Sequence, residues 1–443
     1  MIVRRTMGLA RRAALALLLG VAATAAAQEP RATTKTLAEC IEIALANRPN
    51  LDSAAAQVQG GRARVRQTWS GYLPQLNGAY SSNRRKSSFE SRTQGPGGIS
   101  ALSQSTISNF HSGAVTLSQT LFDFGQNLAA IRAAYAREDS LEADAATTRK
   151  QVLFEVKQSY FDVLASERLL AVADETVRSN RKQLEQAVGR NEVGFAPRID
   201  VTRSEVLVAQ AELDQLAARN NATVAEETLR NALGLDAPID FAIADELARR
   251  AVVLDEPSAL AAAYESRSDL QSILAQQRAA DQDVSQYRRQ HLPTVSADAS
   301  YGWSNSEFPL QDNWVFGATV NVPLFSGGLT EGRVAEARAN LRGLQADERT
   351  LRQQIALETR RSLLDVQRAA QSIDVSARAA EQAAENLALA EGRYETGVGN
   401  VIELTDAQVQ RTSAEADHVS ALYDYQVAVA ALEQAIGREL PTP

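Results

Sequence analysis

The chain of 443 residues carries the same punctuation twice, and this duplication narrows its possible folds more than any other feature. Asn47-Arg48-Pro49-Asn50-Leu51 resembles Ser266-Arg267-Ser268-Asp269-Leu270, and Leu73-Pro74 resembles Leu292-Pro293, both 219 positions apart. Leu121-Phe122 then matches Leu324-Phe325, Gly125 matches Gly328, and Val193-Gly194 matches Thr396-Gly397, now 203 apart. Asp200 with Glu403 and Leu233-Gly234 with Ile436-Gly437 keep that second offset. The single change, 16 residues, falls where the first half has the Ser/Gly-rich piece Ser87 to Ser105 with Gly95-Pro96-Gly97-Gly98. That composition predicts a loop. One set of elements is therefore built twice.

Each half predicts the same order. A helix of moderate length comes first, about Thr36 to Ser70 and Ser258 to Gln290. Thr36-Leu37-Ala38-Glu39 has the capping-box pattern at its start. Two strands around a loop follow, then a very long helix beginning at Gly125 or Gly328, with Asp123 and Ser326 as N-caps. After a turn at Gly194 or Gly397, a last helix runs to Gly234 or Gly437. No proline lies between Pro96 and Pro197, or between Pro323 and Pro441. One inside either long helix would cost roughly 3 kcal/mol. From Gly125 to Val193 the first rod spans about 100 Å at 1.5 Å per residue. Val156, Val163, Leu170, Val177 and Leu184 recur every seven residues as a coiled-coil seam, with small Ser159, Ser166 and Ala173 between them. The units predicted are 28–234, a connector 235–257, a second unit 258–437 and a tail 438–443.

The strands argue against a plain coiled coil. Val295, Ala297, Ala299, Tyr301 and Trp303 alternate with polar or small residues, and so do Trp314, Phe316, Ala318, Val320 and Val322. Leu76, Gly78 and Tyr80, and Val115, Leu117 and Leu121, repeat the pattern more weakly. Strands of about ten residues are long enough for a tilted bilayer crossing. A soluble sheet on a core would look similar, but these helices lead away and leave nothing to cover the apolar face. Four strands cannot close a barrel, and an open edge in lipid strands unpaired backbone groups. Several chains must contribute, in a number this reasoning does not fix. Trp303 and Trp314 flank the shorter strand loop, as an interfacial girdle would have them or as core residues.

The N-terminus reads as a secretory signal over residues 1–27: basic Arg4, Arg5, Arg11 and Arg12, apolar Ala13 to Ala23, and Ala25-Ala26-Ala27 before Gln28 as the cleavage site. Neither arginine pair has the flanking residues of a twin-arginine signal. The mature chain has one cysteine, Cys40, so no internal disulfide; its apolar setting predicts a buried small hydrophobe. A net charge of -8 without a basic stripe argues against a nucleic-acid partner. His111, His291 and His418 have no metal-ligand spacing. Gly397-x-Gly399 is too short to be a nucleotide loop. No serine has an arranged base that the sequence displays. These observations predict neither enzyme nor cofactor.

Taken together, the duplicated halves, the Leu-Pro opening of each strand pair and Leu-Phe-(Asp/Ser)-(Phe/Gly)-Gly before each long helix resemble the TolC family of outer-membrane efflux proteins. The likeness runs from about Leu37 to Gly437. Its most specific parts are the two turns, Asn191-Glu192-Val193-Gly194-Phe195-Ala196-Pro197-Arg198-Ile199-Asp200 and Tyr394-Glu395-Thr396-Gly397-Val398-Gly399-Asn400-Val401-Ile402-Glu403. The resemblance implies a mainly α fold with a membrane β-barrel. Three protomers would give four strands each to a 12-stranded barrel above a long antiparallel α-helical tunnel in the periplasm. It implies a passive outer-membrane duct that docks with a periplasmic adaptor and an inner-membrane pump in efflux or type I secretion. A periplasmic or surface coiled-coil scaffold without a pore is the alternative.

The same resemblance places adaptor docking at the tip, at Val193, Gly194 and Gly397. It places a gate at Asp200, Tyr394, Glu403 and Asp406. The family's latch arginine is absent, with Gly399 in its place, which leaves Arg198 on the other turn as a candidate substitute. On their own chemistry Glu403 and Asp406, three apart, share a helix face. Repeated around a narrow pore they would favour cations; as solvated helix residues they would do nothing. Asp200 could act instead on the helix dipole, with Pro197 in the first turn. The cargo is not legible.

Overall fold

The computed structural model describes residues 34–95, 98–247 and 254–440, the side chains of 89–104 excepted. The signal segment and its cleavage site lie outside the described residues. The first half contains β1 (Thr34–Lys35), α1 (Leu37–Asn47), α2 (Pro49–Trp69), β2 (Gln75–Gly95), β3 (Gly98–Phe122), α3 (Gln126–Glu192) and α4 (Arg198–Leu233). A short β4 (Ala242–Ile243) follows. The second half contains α5 (Glu256–Ser266), α6 (Ser268–Arg289), β5 (Thr294–Asn305), β6 (Gln311–Asn321), α7 (Leu329–Glu395) and α8 (Val401–Ile436). The duplication holds in the element lengths: α3 and α7 each have 67 residues, α4 and α8 each 36.

Several boundaries differ from the sequence expectation, each for a local reason. The first helix of each half is two helices. Arg48, at φ -73 and ψ 117, breaks the first because a residue before proline is pushed out of the helical region. Arg267 adopts nearly the same angles, φ -72 and ψ 120, without a proline. Its guanidinium is held instead by Asp269 at 2.6 Å and Glu358 at 2.5 Å. Burial alone would push the Asp269 carboxyl up, but the adjoining Arg267 outweighs it and holds it below the usual range. Arg48 repeats the arrangement, pairing with Glu155 and donating to the Asn231 carbonyl at 2.9 Å. Each break sits on the glycine that ends the last helix of its half. Gly234 (φ 72) and Gly437 (φ 80) are left-handed, and a Cβ on either would lie 2.9 Å from the carbonyl oxygen of Asn47 or Ser266.

The stretch Ser87 to Ser105, expected as a loop, is paired strand. The β2–β3 ladder runs unbroken from Gln75↔Ser118 to Gly95↔Gly98. Threonine tolerates an extended backbone, and this stretch offers no apolar alternation in its sequence to mark a strand. The long helices start one residue later than expected, at Gln126 and Leu329, and their caps reach from further back. Asp123, buried, accepts from the Gly125 amide at 2.9 Å and the Asn127 amide at 2.7 Å, while Ser326 Oγ accepts from the Thr330 amide at 3.5 Å. Pro197 is the N-cap of α4 rather than its first helical residue.

One antiparallel sheet has the order β2-β3-β5-β6, so β2 and β6 are its edges. Below it, α3 pairs with α4 and α7 with α8 as antiparallel coils, and α3 also packs on α2, α6 and α8. The α3 seam is buried at Val156, Val163 and Val177 and half-buried at Leu170 and Leu184. The connector folds back: β4 pairs in parallel with β1, and the Tyr160 hydroxyl donates to the Ala244 carbonyl at 2.7 Å. Cys40 is buried in that core, where burial first and Glu39 second push its thiol up to about 11. No described helix is long and apolar enough to cross a membrane.

Candidate functional site

The two helical turns meet at the end of the molecule furthest from the sheet. Both turn only because a glycine takes a left-handed conformation, Gly194 at φ 81 and Gly397 at φ 78. After each glycine the chain folds back onto the helix it has left: the Phe195 amide donates to the Arg190 carbonyl at 2.8 Å and the Gly399 amide to the Arg393 carbonyl at 2.8 Å. Val193, Phe195, Ile199, Val398 and Ile402 remain exposed, Phe195 at 86%. The tip therefore presents apolar side chains on two hydrogen-bonded turns.

The link between the two turns is Arg190, a residue that sequence reasoning does not single out. Its guanidinium lies over the Tyr394 ring, 4.3 Å from the centroid. It donates to the carbonyls of Tyr394 at 2.9 Å and Glu395 at 3.2 Å. Tyr394 is itself buried, in a small core with Leu387, Ala390, Leu404 and Ala407. A signal for Arg190 is present in the repeat: Arg393 stands 203 positions later, at the same place before the second turn.

The expected gate residues are brought together only in part. Asp200, half-buried in the first turn of α4, and Tyr394 line one groove of about 410 Å³, but no hydrogen bond joins them. Glu403 is the third residue of α8. Its amide donates to the Asn400 side chain at 2.9 Å, and its carboxylate pairs with Arg393 Nε at 3.0 Å. Asp406, one turn on, is exposed and has no ion pair among the described residues. A side chain at Gly399, where the family has its arginine, would be tightly placed here. A Cβ on it would lie 3.0 Å from the Arg393 side chain and 3.1 Å from the Tyr394 backbone nitrogen. Arg198 is exposed and bridges nothing among the described residues. Arg190 makes the inter-turn contact instead.

The opposite end is the sheet. Its apolar face carries Leu76, Tyr80, Leu117, Trp314, Phe316 and Val320, all exposed. Trp314 is 73% exposed, so it is no core residue in this chain.

The profile described as "Outer membrane efflux protein" matches residues 40–235 and 259–438. The chain is similar to outer membrane protein TolC of Vibrio cholerae, 24% identical over 414 residues, covering 91% of each chain. It is also similar to protein CyaE of Bordetella pertussis, 28% identical over 403 residues, covering 89% of this chain and 82% of that one. Among solved structures, a membrane protein from Pseudomonas aeruginosa superposes with a TM-score of 0.77 at 25% identity, covering 90% of this chain and 93% of that one. With the family profile covering both halves and the fold matching from sheet to tip, the chain belongs to the outer membrane efflux protein family.

Proposed function

We propose that three copies of this chain close into one hollow duct through the outer membrane and periplasm, and that the tip docks a periplasmic adaptor serving an inner-membrane pump. The observation that carries this reading is an asymmetry between equivalent helices. In α3, Phe161 is 5% exposed, in a core joined by Leu422 and Tyr423 of α8. Its counterpart in α7, Leu364, is 64% exposed. In α8, Val419 is 9% exposed, while its counterpart in α4, Leu216, is 60% exposed. The first half lends α3 to α8 of the second half, but among the described residues α7 meets no equivalent partner on that face. A neighbouring copy presenting α4 would supply it, by a head-to-tail contact that closes a ring when the rotation allows. The sheet repeats the situation, since β6 ends unpaired where β3 meets β5. Three copies would supply twelve strands.

At the tip the same repetition supports a gate. Arg190 ties one hairpin to the next within a chain, and Arg393, its counterpart, would face the turn of the neighbouring copy. Glu403 and Asp406 of every copy would then ring the narrow end with carboxylates, Asp406 the less neutralised. The exposed apolar residues around Val193, Gly194 and Gly397 suit an adaptor helix. Planar-bilayer recording tests the pore role. The wild type prefers cations, and Glu403→Ala with Asp406→Ala weakens that preference. Unchanged selectivity would remove these residues from the pore.

A further inference from the structure

The outward face of β2 does not end with its aromatic residue. In the antiparallel register Tyr80 lies opposite Gly113, Arg84 opposite Asn109 and Lys86 opposite Ile107. Side chains alternate along a strand, so Arg84 and Lys86 share the face of Leu76 and Tyr80, whereas Arg85 points to the other. Tyr80 and Trp303 approach each other across Gly113, where a Cβ would meet their rings at 3.5 and 3.7 Å. The β3–β5 ladder ends at His111↔Asn305, and Ser82 is opposite His111 on the other side. Arg84 and Lys86 therefore follow the last row that β2, β3 and β5 share, by about 7 and 13 Å along the strand. Both are exposed.

The order along this face is apolar, aromatic, cationic. An aromatic row marks the depth where hydrocarbon gives way to headgroups, and a cation on the lipid face is tolerated only at or beyond that depth. The sheet end carrying these residues points away from the periplasmic helices, so the headgroups beside it belong to the outer leaflet. We propose that Arg84 and Lys86 form an anchoring site for a phosphorylated lipid headgroup of that leaflet, one site per protomer. Charge complementarity selects the phosphate. Arginine offers it a planar two-pronged donor, and lysine two residues on offers a point charge. The inference rests on the barrel reading above.

The test uses full-length protein as trimers in mild detergent with added lipid A, a bis-phosphorylated glycolipid. Bound lipid A per trimer is counted by mass spectrometry after gel filtration. Wild type and Arg85→Gln retain it, and Arg84→Gln with Lys86→Gln lowers the apparent affinity by about fivefold for each cation removed. Dephosphorylated lipid A is lost from the wild type in the same way, which checks the site without a variant. Equal retention by the double variant, equal loss in Arg85→Gln, or full displacement by inorganic phosphate would each overturn the proposal. Wild-type protein that forms no trimer at all would instead contradict the duct reading, and the lipid site would go with it.

Discussion

Among single residues, the glycines that end α4 and α8 show how far a physical reading of sequence reaches. A glycine after a helical run predicts a left-handed stop, and Gly437 takes that conformation at φ 80. What the run of letters did not display is that the carbonyl of Ser266 lies directly beneath it, from a segment far away in the chain. Gly437→Ala is expected to lower stability by about 2 kcal/mol, combining left-handed strain with that contact. Gly343→Ala is the control, since its site in α7 is helical and open. It is expected to raise stability by about 0.5–1 kcal/mol. Melting temperatures of the two variants in detergent should move in opposite directions; a common direction would contradict the assignment. The residues proposed for the gate were named from their types and spacings. Their partners were not, because which hairpin lies beside which is set by tertiary packing.

At the level of elements, long helices were the easiest feature to read. Absence of proline, a seven-residue seam and glycine stops all act locally, and they agreed. The inner part of the β2–β3 hairpin was expected as two strands, and its outer part as a loop, because Ser87 to Ser105 carries no apolar period of two in its sequence. The breaks at Arg48 and Arg267 divide the same way: Pro49 announces the first, while the second depends on Asp269 and Glu358, which only the fold brings together. The tip is the element with the most to test. Arg190 holds two helical hairpins by a ring contact and two carbonyls, interactions of roughly 0.5–1 kcal/mol each. If closing the duct uses this contact, Arg190→Ala raises single-channel conductance in planar bilayers, and Arg190→Lys, with no planar fork, gives an intermediate value. Conductance equal to wild type in Arg190→Ala would exclude Arg190 from the gate.

The molecule as a whole is understood through what its own chain cannot supply. A duplicated sequence gives two equivalent units, and one unit satisfies the other on one side only. The open four-stranded sheet was legible from strand count and length, and on the duct reading it would need sister copies to close. The surfaces that would meet were not, because the stripes on α4 and α7 look like ordinary coiled-coil positions until burial separates Phe161 from Leu364. On that reading the contact between halves would give the register of a contact between copies. Within the chain Thr176 and Thr412 touch, 3.1 Å apart, and their counterparts are Ala379 and Ala209, both exposed. Oxidative cross-linking of a chain carrying both Ala209→Cys and Ala379→Cys measures the central claim most directly. Covalent trimers should form in outer membranes, with neither single variant giving them; monomers alone, or dimers that never advance to trimers, would contradict a closed ring built on this interface.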